Sequence, residues 1–168
     1  MMHEISNRHL SLKEIHQIIH NEELLVLSQG VIDKIQKCRN YLDSKSKENK
    51  AIYGINTGFG SLCNESISQE DLSQLQINLV LSHSCGFGEE VPSNIVKLML
   101  FLKIKSLSYG YSGVQVETVQ RLVDFYNNDI LPVIFQQGSL GASGDLAPLA
   151  HLSLPLLGLG EVYYEGKK

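Results

Sequence analysis

The sequence predicts a mainly α-helical fold, and three observations carry that prediction. Ser11 followed by Glu14 forms a capping box ahead of an apolar stripe. In several later segments the apolar residues recur every three or four positions. Strand-like stretches are confined to two short places, around residues 51–54 and 161–165.

From the capping box a first helix runs through His20, with Leu12, Ile15, Ile18 and Ile19 as its apolar stripe. A second covers Ser28 to about Ser44, on the spacing of Val31, Ile32, Ile35, Cys38 and Leu42, and ends in the solvated break SKSKENK. Residues 51–61, AIYGINTGFGS, begin with strand-like side chains and become a glycine-rich loop, because Gly54, Gly58 and Gly60 are incompatible with a regular helix. That loop is ordered, or it is a mobile lid. Ser68 is placed to cap a third helix carrying Leu72, Leu75, Leu79 and Val80, which Gly86 and Gly88 in SHSCGFG bring to an end. Pro92 or Ser93 opens a helix that is apolar almost all round, from Ile95 to Leu107, and such a helix belongs in a core or a subunit interface. After the turn YGYSG at 109–113, Val116, Val119, Leu122, Val123 and Tyr126 give a further amphipathic helix. Asp145 is placed to cap another, with Pro148 tolerated in its first turn. EVYYEG, residues 161–166, alternates like a strand. There is no repeat, and residues 1–168 read as one domain or part of one.

Composition narrows the partners. With 43% hydrophobic residues the 168-residue chain has enough apolar surface for a real core. Its formal net charge of -4 comes from 14 basic and 18 acidic residues with no long block of one sign, which argues against nucleic acid and an anionic membrane surface. A small molecule or another protein is the expected partner. Charged residues interrupt the first thirty positions, and the longest wholly apolar run, Leu98 to Leu102, is far shorter than a membrane span, so the expected location is the cytoplasm. Cys38, Cys63 and Cys85 lack close pairing, so reduced thiols are expected. His16 and His20 lie on one helix face without a third ligand, so no metal is expected. Cys85 beside His83 is better explained by small-residue packing than by a nucleophile and its base, since neighbouring helical positions do not face one another.

The stretch GSLGASGDLAP, residues 138–148, carries the chemistry. It is not a nucleophile elbow, which needs G-x-S-x-G, because Asp145 follows Gly144. Glycines three apart and a missing lysine make both phosphate-loop readings weak. A tight turn of small residues that caps a helix remains open. In a compressed loop, however, the unhindered nitrogen of Gly144 can attack the carbonyl carbon of Ala142 and close a five-membered ring. Loss of one water from the ring and of the Ser143 hydroxyl as a second leaves a methylidene-imidazolone, an electrophile made of backbone.

GSLGASGDLAPLAH resembles the motif of the aromatic amino acid lyases, with YGINTGFGS at 53–61 and LQINLVLSHSCGFG at 75–88 as second and third anchors. The resemblance covers essentially the whole chain in the family's order. It implies the family's helical fold, histidine ammonia-lyase or aspartase-like, and a prosthetic methylidene-imidazolone formed from Ala142, Ser143 and Gly144 with no external cofactor. It also implies that Tyr53 removes the β-proton of an amino acid substrate. A free phenol has a pKa of about 10, so that role requires a site that lowers it. The same tyrosine, read without the family, is a packed strand residue. Asp145 is a helix cap or a catalytic helper, two compatible roles, since a helix N-terminus near the ring stabilises developing negative charge. Gly60 and Ser82 are expected in support.

Ser82-His83 is the discriminating pair. The family's histidine-specific members carry Ser-His here, so the resemblance implies histidine as substrate and urocanate as product. His83 could hydrogen-bond a substrate imidazole, which an apolar pair would leave unpaired at a cost. Without the family, a histidine near a helix end is a cap or a surface group. Tyrosine or phenylalanine lyases and aminomutases of the same family stay open, as does an inactive piece that only packs with other chains. Gly158-Leu159-Gly160 and Lys105 depart mildly from the family's pattern. Family members are roughly three times this length and form tetramers whose sites draw on several subunits. The chain is therefore expected to be an amino-terminal segment, inactive alone, that associates with copies of itself.

Overall fold

The computed structural model describes residues 1–47, 51–57, 67, 71–138 and 146–168. They divide into two compact units, each assembled from separate stretches of chain. The first contains Met1–Tyr41, Val91–Leu131 and Val162–Lys168; the second contains Leu42–Glu90 and Pro132–Glu161.

In the first unit, strand β1 (Met2–Ile5) and strand β2 (Leu24–Leu27) pair in parallel, Met2 against Leu24 through Ile5 against Leu27, and helix α1 (Leu12–His20) connects them. The capping box opens α1 as expected: Ser11 Oγ accepts from the Glu14 N–H, and Glu14 returns an acceptor to the Ser11 N–H at 2.8 Å. Arg8 reaches the same carboxylate at 2.5 Å, and these donors, led by the Ser11 backbone, hold its pKa at about 2. Ile5, Ile18, Leu25 and Leu27 turn into the core.

Helix α2 (Gln29–Ser46) follows, with Ser28 Oγ accepting from Val31 N–H at its start and Val31 and Ile35 buried. Helix α4 (Ser93–Leu107) packs on helix α5 (Val116–Asn127) through Val96, Leu100, Phe101 and Ile104 against Val119, Leu122, Val123 and Tyr126. Only part of α4's apolar surface is covered, since Ile95 and Leu102 remain exposed. Asn127 completes the unit by bridging to the β2 backbone: its side chain accepts from Leu25 N–H at 2.7 Å and donates to Leu25 O at 2.9 Å. Lys105 is buried, and its ammonium donates to the carbonyls of Ser6 and Arg8, which anchors the chain after β1.

The strand expected near 161–165 is present as β6 (Val162–Tyr163), followed by a tight turn in which Glu165 and Gly166 both adopt positive φ.

In the second unit, helix α3 (Leu72–His83) is followed by strand β3 (Phe87–Glu90), which pairs antiparallel with strand β5 (Phe135–Gln137), itself preceded by strand β4 (Leu131–Pro132). Helix α6 (Ala147–Ser153) and a 3-10 turn (Leu154–Leu157) complete it, and α3 lies against both. Ile134, Ala147, Leu152 and Leu154 form its buried centre.

Three expectations are corrected here. Residues 51–54 are not a strand but enter a turn, because Asn56 reaches back to close it. The third helix begins at Leu72, with Asp71 at its cap position and no side-chain cap bond; Ser68 lies outside the described residues. The cap position of α6 falls on Leu146, not Asp145, and Pro148 occupies the first turn. Among the described residues no helix is long and apolar enough to cross a membrane.

Candidate active site

Tyr53 sits on a turn that polar side chains hold in shape. Ile52 N–H donates to Asn56 Oδ1 at 2.7 Å, while Ile52 O accepts from the N–H groups of Ile55 and Asn56. Gly54 N–H donates to Thr57 Oγ1, and both Asn56 and Thr57 are buried. Gly54 has φ +69°, a backbone state that glycine adopts without the penalty of a Cβ. The β-forming residues Ile52 and Tyr53 are overruled by this local network, which leaves Tyr53 62% exposed.

Gln76 fastens the turn to α3. Its Nε2 donates to Ile55 O at 2.8 Å and to Gly54 O at 3.3 Å. Gln76 and His83 are seven residues apart on one face of the helix, a rise of about 10 Å. At the helix end, His83 Nδ1 lies 2.7 Å from Leu79 O and 3.1 Å from Ser82 Oγ. A carbonyl only accepts, so Nδ1 carries the proton, and in the neutral ring Nε2 is an acceptor. Ser82 Oγ donates to the same Leu79 carbonyl at 3.0 Å and so buttresses the ring.

Beyond His83 the chain is attached to both flanks of residues 139–145. On the incoming side, Phe87 pairs with Gln137 and Glu90 with Phe135, and Gln136 Nε2 donates to Glu90 O at 3.0 Å. On the outgoing side, Gly86 N–H donates to His151 Nε2 on α6 at 3.0 Å. His151 is buried in a T-shaped contact with Phe135, with ring centroids 5.3 Å apart, and burial pushes its pKa below the ordinary histidine value.

The structure thus places Tyr53, Ser82 and His83 in one hydrogen-bonded unit with the flanks of the motif. Ala142, Ser143, Gly144, Asp145 and Gly60 lie outside the described residues. What the described part contributes to a loop-borne group is fixed flanks: β5 is paired up to Gln137, and α6 starts with Ala147 buried. Among the described residues no group of three or more histidines, cysteines or acidic side chains is placed to hold a metal. Gln76 and His151 escaped the sequence reading. Their partners are backbone groups, and only their places inside LQINLVLSHSCGFG and GSLGASGDLAPLAH could have drawn attention to them.

Comparison with known proteins points to one family. The family described as "Aromatic amino acid lyase" matches residues 10–168. Histidine ammonia-lyase of Legionella pneumophila strain Corby is 49% identical over 158 residues, covering 94% of this chain and 31% of that protein. The chain spans about a third of the length of the curated relatives it matches. Among solved structures, histidine ammonia-lyase of Trypanosoma cruzi superposes with a TM-score of 0.86 at 31% identity, covering 100% of this chain and 32% of that one. The ergothioneine-degrading ergothionase of Treponema denticola gives 0.91 at 26% identity, covering 97% and 33%. With nearly its whole length matched, the chain belongs to the aromatic amino acid lyase family.

Proposed function

We propose that the whole protein eliminates ammonia from L-histidine without oxidation and releases urocanate. The observation that carries this reading is the hydrogen-bonded frame of the second unit. Gln76 joins the Tyr53 turn to the helix ending in His83, and Gly86 and Phe87 join that segment to both flanks of the Ala-Ser-Gly loop. Histidine as substrate draws support from Ser82-His83 and from the 49% identity to an enzyme named for it.

Within this reading, a methylidene-imidazolone formed from Ala142, Ser143 and Gly144 supplies the electron sink. Tyr53 accepts the β-proton, the Cα–N bond breaks, and the Cα–Cβ double bond forms, so that histidine gives urocanate and ammonium. His83, held at the end of α3 by the contact of Nδ1 with Leu79 O, meets the substrate's imidazole. Asp145 assists at the head of α6, and Gly60 and Ser82 support the loop and the His83 ring. Groups for the substrate carboxylate and amine come from the rest of the chain and from neighbouring subunits of a cytoplasmic homotetramer.

The test is to incubate the whole protein with histidine, tyrosine and phenylalanine and to weigh it intact beside Ser143→Ala. Urocanate from histidine alone is expected, together with a mass deficit of two waters, about 36 Da, absent from the variant. Coumarate or cinnamate as the main product moves the substrate to tyrosine or phenylalanine. An unmodified parent mass sinks the prosthetic-group assignment.

A further inference from the structure

Gly86 has no room for a side chain. A Cβ at this position would lie 2.9 Å from Nε2 and 3.0 Å from Cδ2 of His151, and 3.2 Å from Cβ of Phe135. The same imidazole accepts the Gly86 N–H at 3.0 Å and makes a T-shaped contact with Phe135, 77° between planes. Three pieces of chain meet at that ring: Phe135 on the strand that enters the 139–145 loop, His151 on the helix that leaves it, and the segment three residues beyond His83.

We propose that His151 is a positioning residue of the lyase site, which holds the segment carrying His83 in register with the Ala-Ser-Gly loop by accepting the Gly86 N–H. This rests on the function proposed above. The backbone N–H only donates, so Nε2 must be the bare nitrogen and the ring proton resides on Nδ1. A protonated ring would set two N–H groups against each other and release Gly86. Ser84 transmits the restraint to His83. Its N–H bonds Val80 O and Leu81 O, and its hydroxyl bonds Val80 O at 2.8 Å, so the exit of α3 is tight between His83 and Gly86. His151 touches no substrate in this account; it sets where His83 stands.

The experiment compares the whole protein with His151→Leu, which keeps bulk but removes the acceptor, and His151→Gln, whose amide oxygen replaces Nε2. Amide hydrogen exchange at Gly86, KM and kcat for histidine, and intact mass are read together. The expected result is faster exchange at Gly86 and a KM about tenfold higher in His151→Leu, with kcat less affected and the 36 Da deficit retained. His151→Gln is expected to restore exchange protection and to bring KM within about threefold of the parent. Unchanged exchange at Gly86 in His151→Leu, or equal KM defects in the Leu and Gln variants, overturns the proposal. If the parent releases no ammonia from histidine, the lyase reading falls, and the Gly86 clamp is then judged on exchange alone.

Discussion

Gln76 Nε2 donates to the carbonyl oxygen of Ile55 at 2.8 Å, so the turn that displays Tyr53 is fastened to the helix that ends in His83. One amide side chain thereby links the proposed base to the proposed substrate-recognition residue. Replacing Gln76 with Leu should release the turn without disturbing any apolar core, because Gln76 is exposed. Steady-state kinetics of the whole protein should show kcat lower by about 5- to 10-fold, the worth of one such hydrogen bond, with KM for histidine moving less. An equal loss in a variant at a neighbouring exposed position, such as Gln74→Leu, would count against a specific link.

Removing the hydroxyl of the proposed base is a harsher change. Tyr53→Phe keeps the ring and loses the hydroxyl, so kcat should fall between about 100- and 10,000-fold, the usual range for a positioned acid or base. Intact mass should still show the proposed deficit of two waters, because the tyrosine is not part of the tripeptide proposed to cyclise. Activity within tenfold of the parent would remove Tyr53 from the mechanism.

The Tyr126 hydroxyl is buried and, among the described residues, has no hydrogen-bond partner. Burial, reinforced by Asp129, Glu23 and Glu22, pushes its pKa to about 12. Tyr126→Phe should therefore leave folding stability unchanged or raise it by up to about 1 kcal/mol in urea denaturation. Lys97, over the ring at 5.0 Å and paired with Asp129, keeps its aromatic contact in the variant. The raised pKa also fixes a sign: the stability it represents is complete below pH 10 and is lost as pH rises through 12. Tyr126→Phe should flatten that alkaline decline.

Two histidines set the acid side. Burial lowers the pKa of both His3 and His151; for His3, Glu23 and Glu14 oppose the shift, while Arg8 and Lys105 add to it. A lowered folded pKa means that the unfolded chain binds more protons. The stability contributed is complete above pH 6.5 and falls as pH drops below that value toward the folded pKa values. Urea midpoints should therefore decrease between pH 7.5 and 5.5, and His151→Gln should reduce the slope. A slope equal to the parent's would show that His151 does not titrate in that window.

Most helices were legible because their signals are local. The Ser11–Glu14 box needs only four residues to be recognised, and the spacing of Val119, Leu122, Val123 and Tyr126 marks the face of α5 that is in fact buried. Strands were harder. Met2–Ile5 and Leu24–Leu27 are four residues each and acquire meaning only from their parallel partner across α1. Phe87–Glu90 and Phe135–Gln137 contain no β-branched residue, and their pairing is decided by partners some fifty positions apart. Residues 51–54 looked like a strand because Ile and Tyr favour one, whereas the polar closure by Asn56 and Thr57 is visible only in three dimensions. The candidate site divides in the same way. Tyr53, Ser82 and His83 could be named from motifs, but Gln76 and His151 act on backbone atoms, and a backbone atom looks alike in every sequence.

The second unit is discontinuous along the chain, and this orders its birth on the ribosome. Residues 42–90 emerge first and must then wait while 91–131, which belong to the other unit, are translated before Phe135 arrives to pair with Glu90. At a translation rate of about 5–20 residues per second the wait is roughly 2–9 seconds, long compared with helix formation. Until then β3 is a strand without its neighbour and Gly86 an amide without His151. The tripeptide at 142–144 is thus made after residues 86–90, and strand pairing and the histidine clamp fix its two flanking segments only once Phe135 and then His151 have been added.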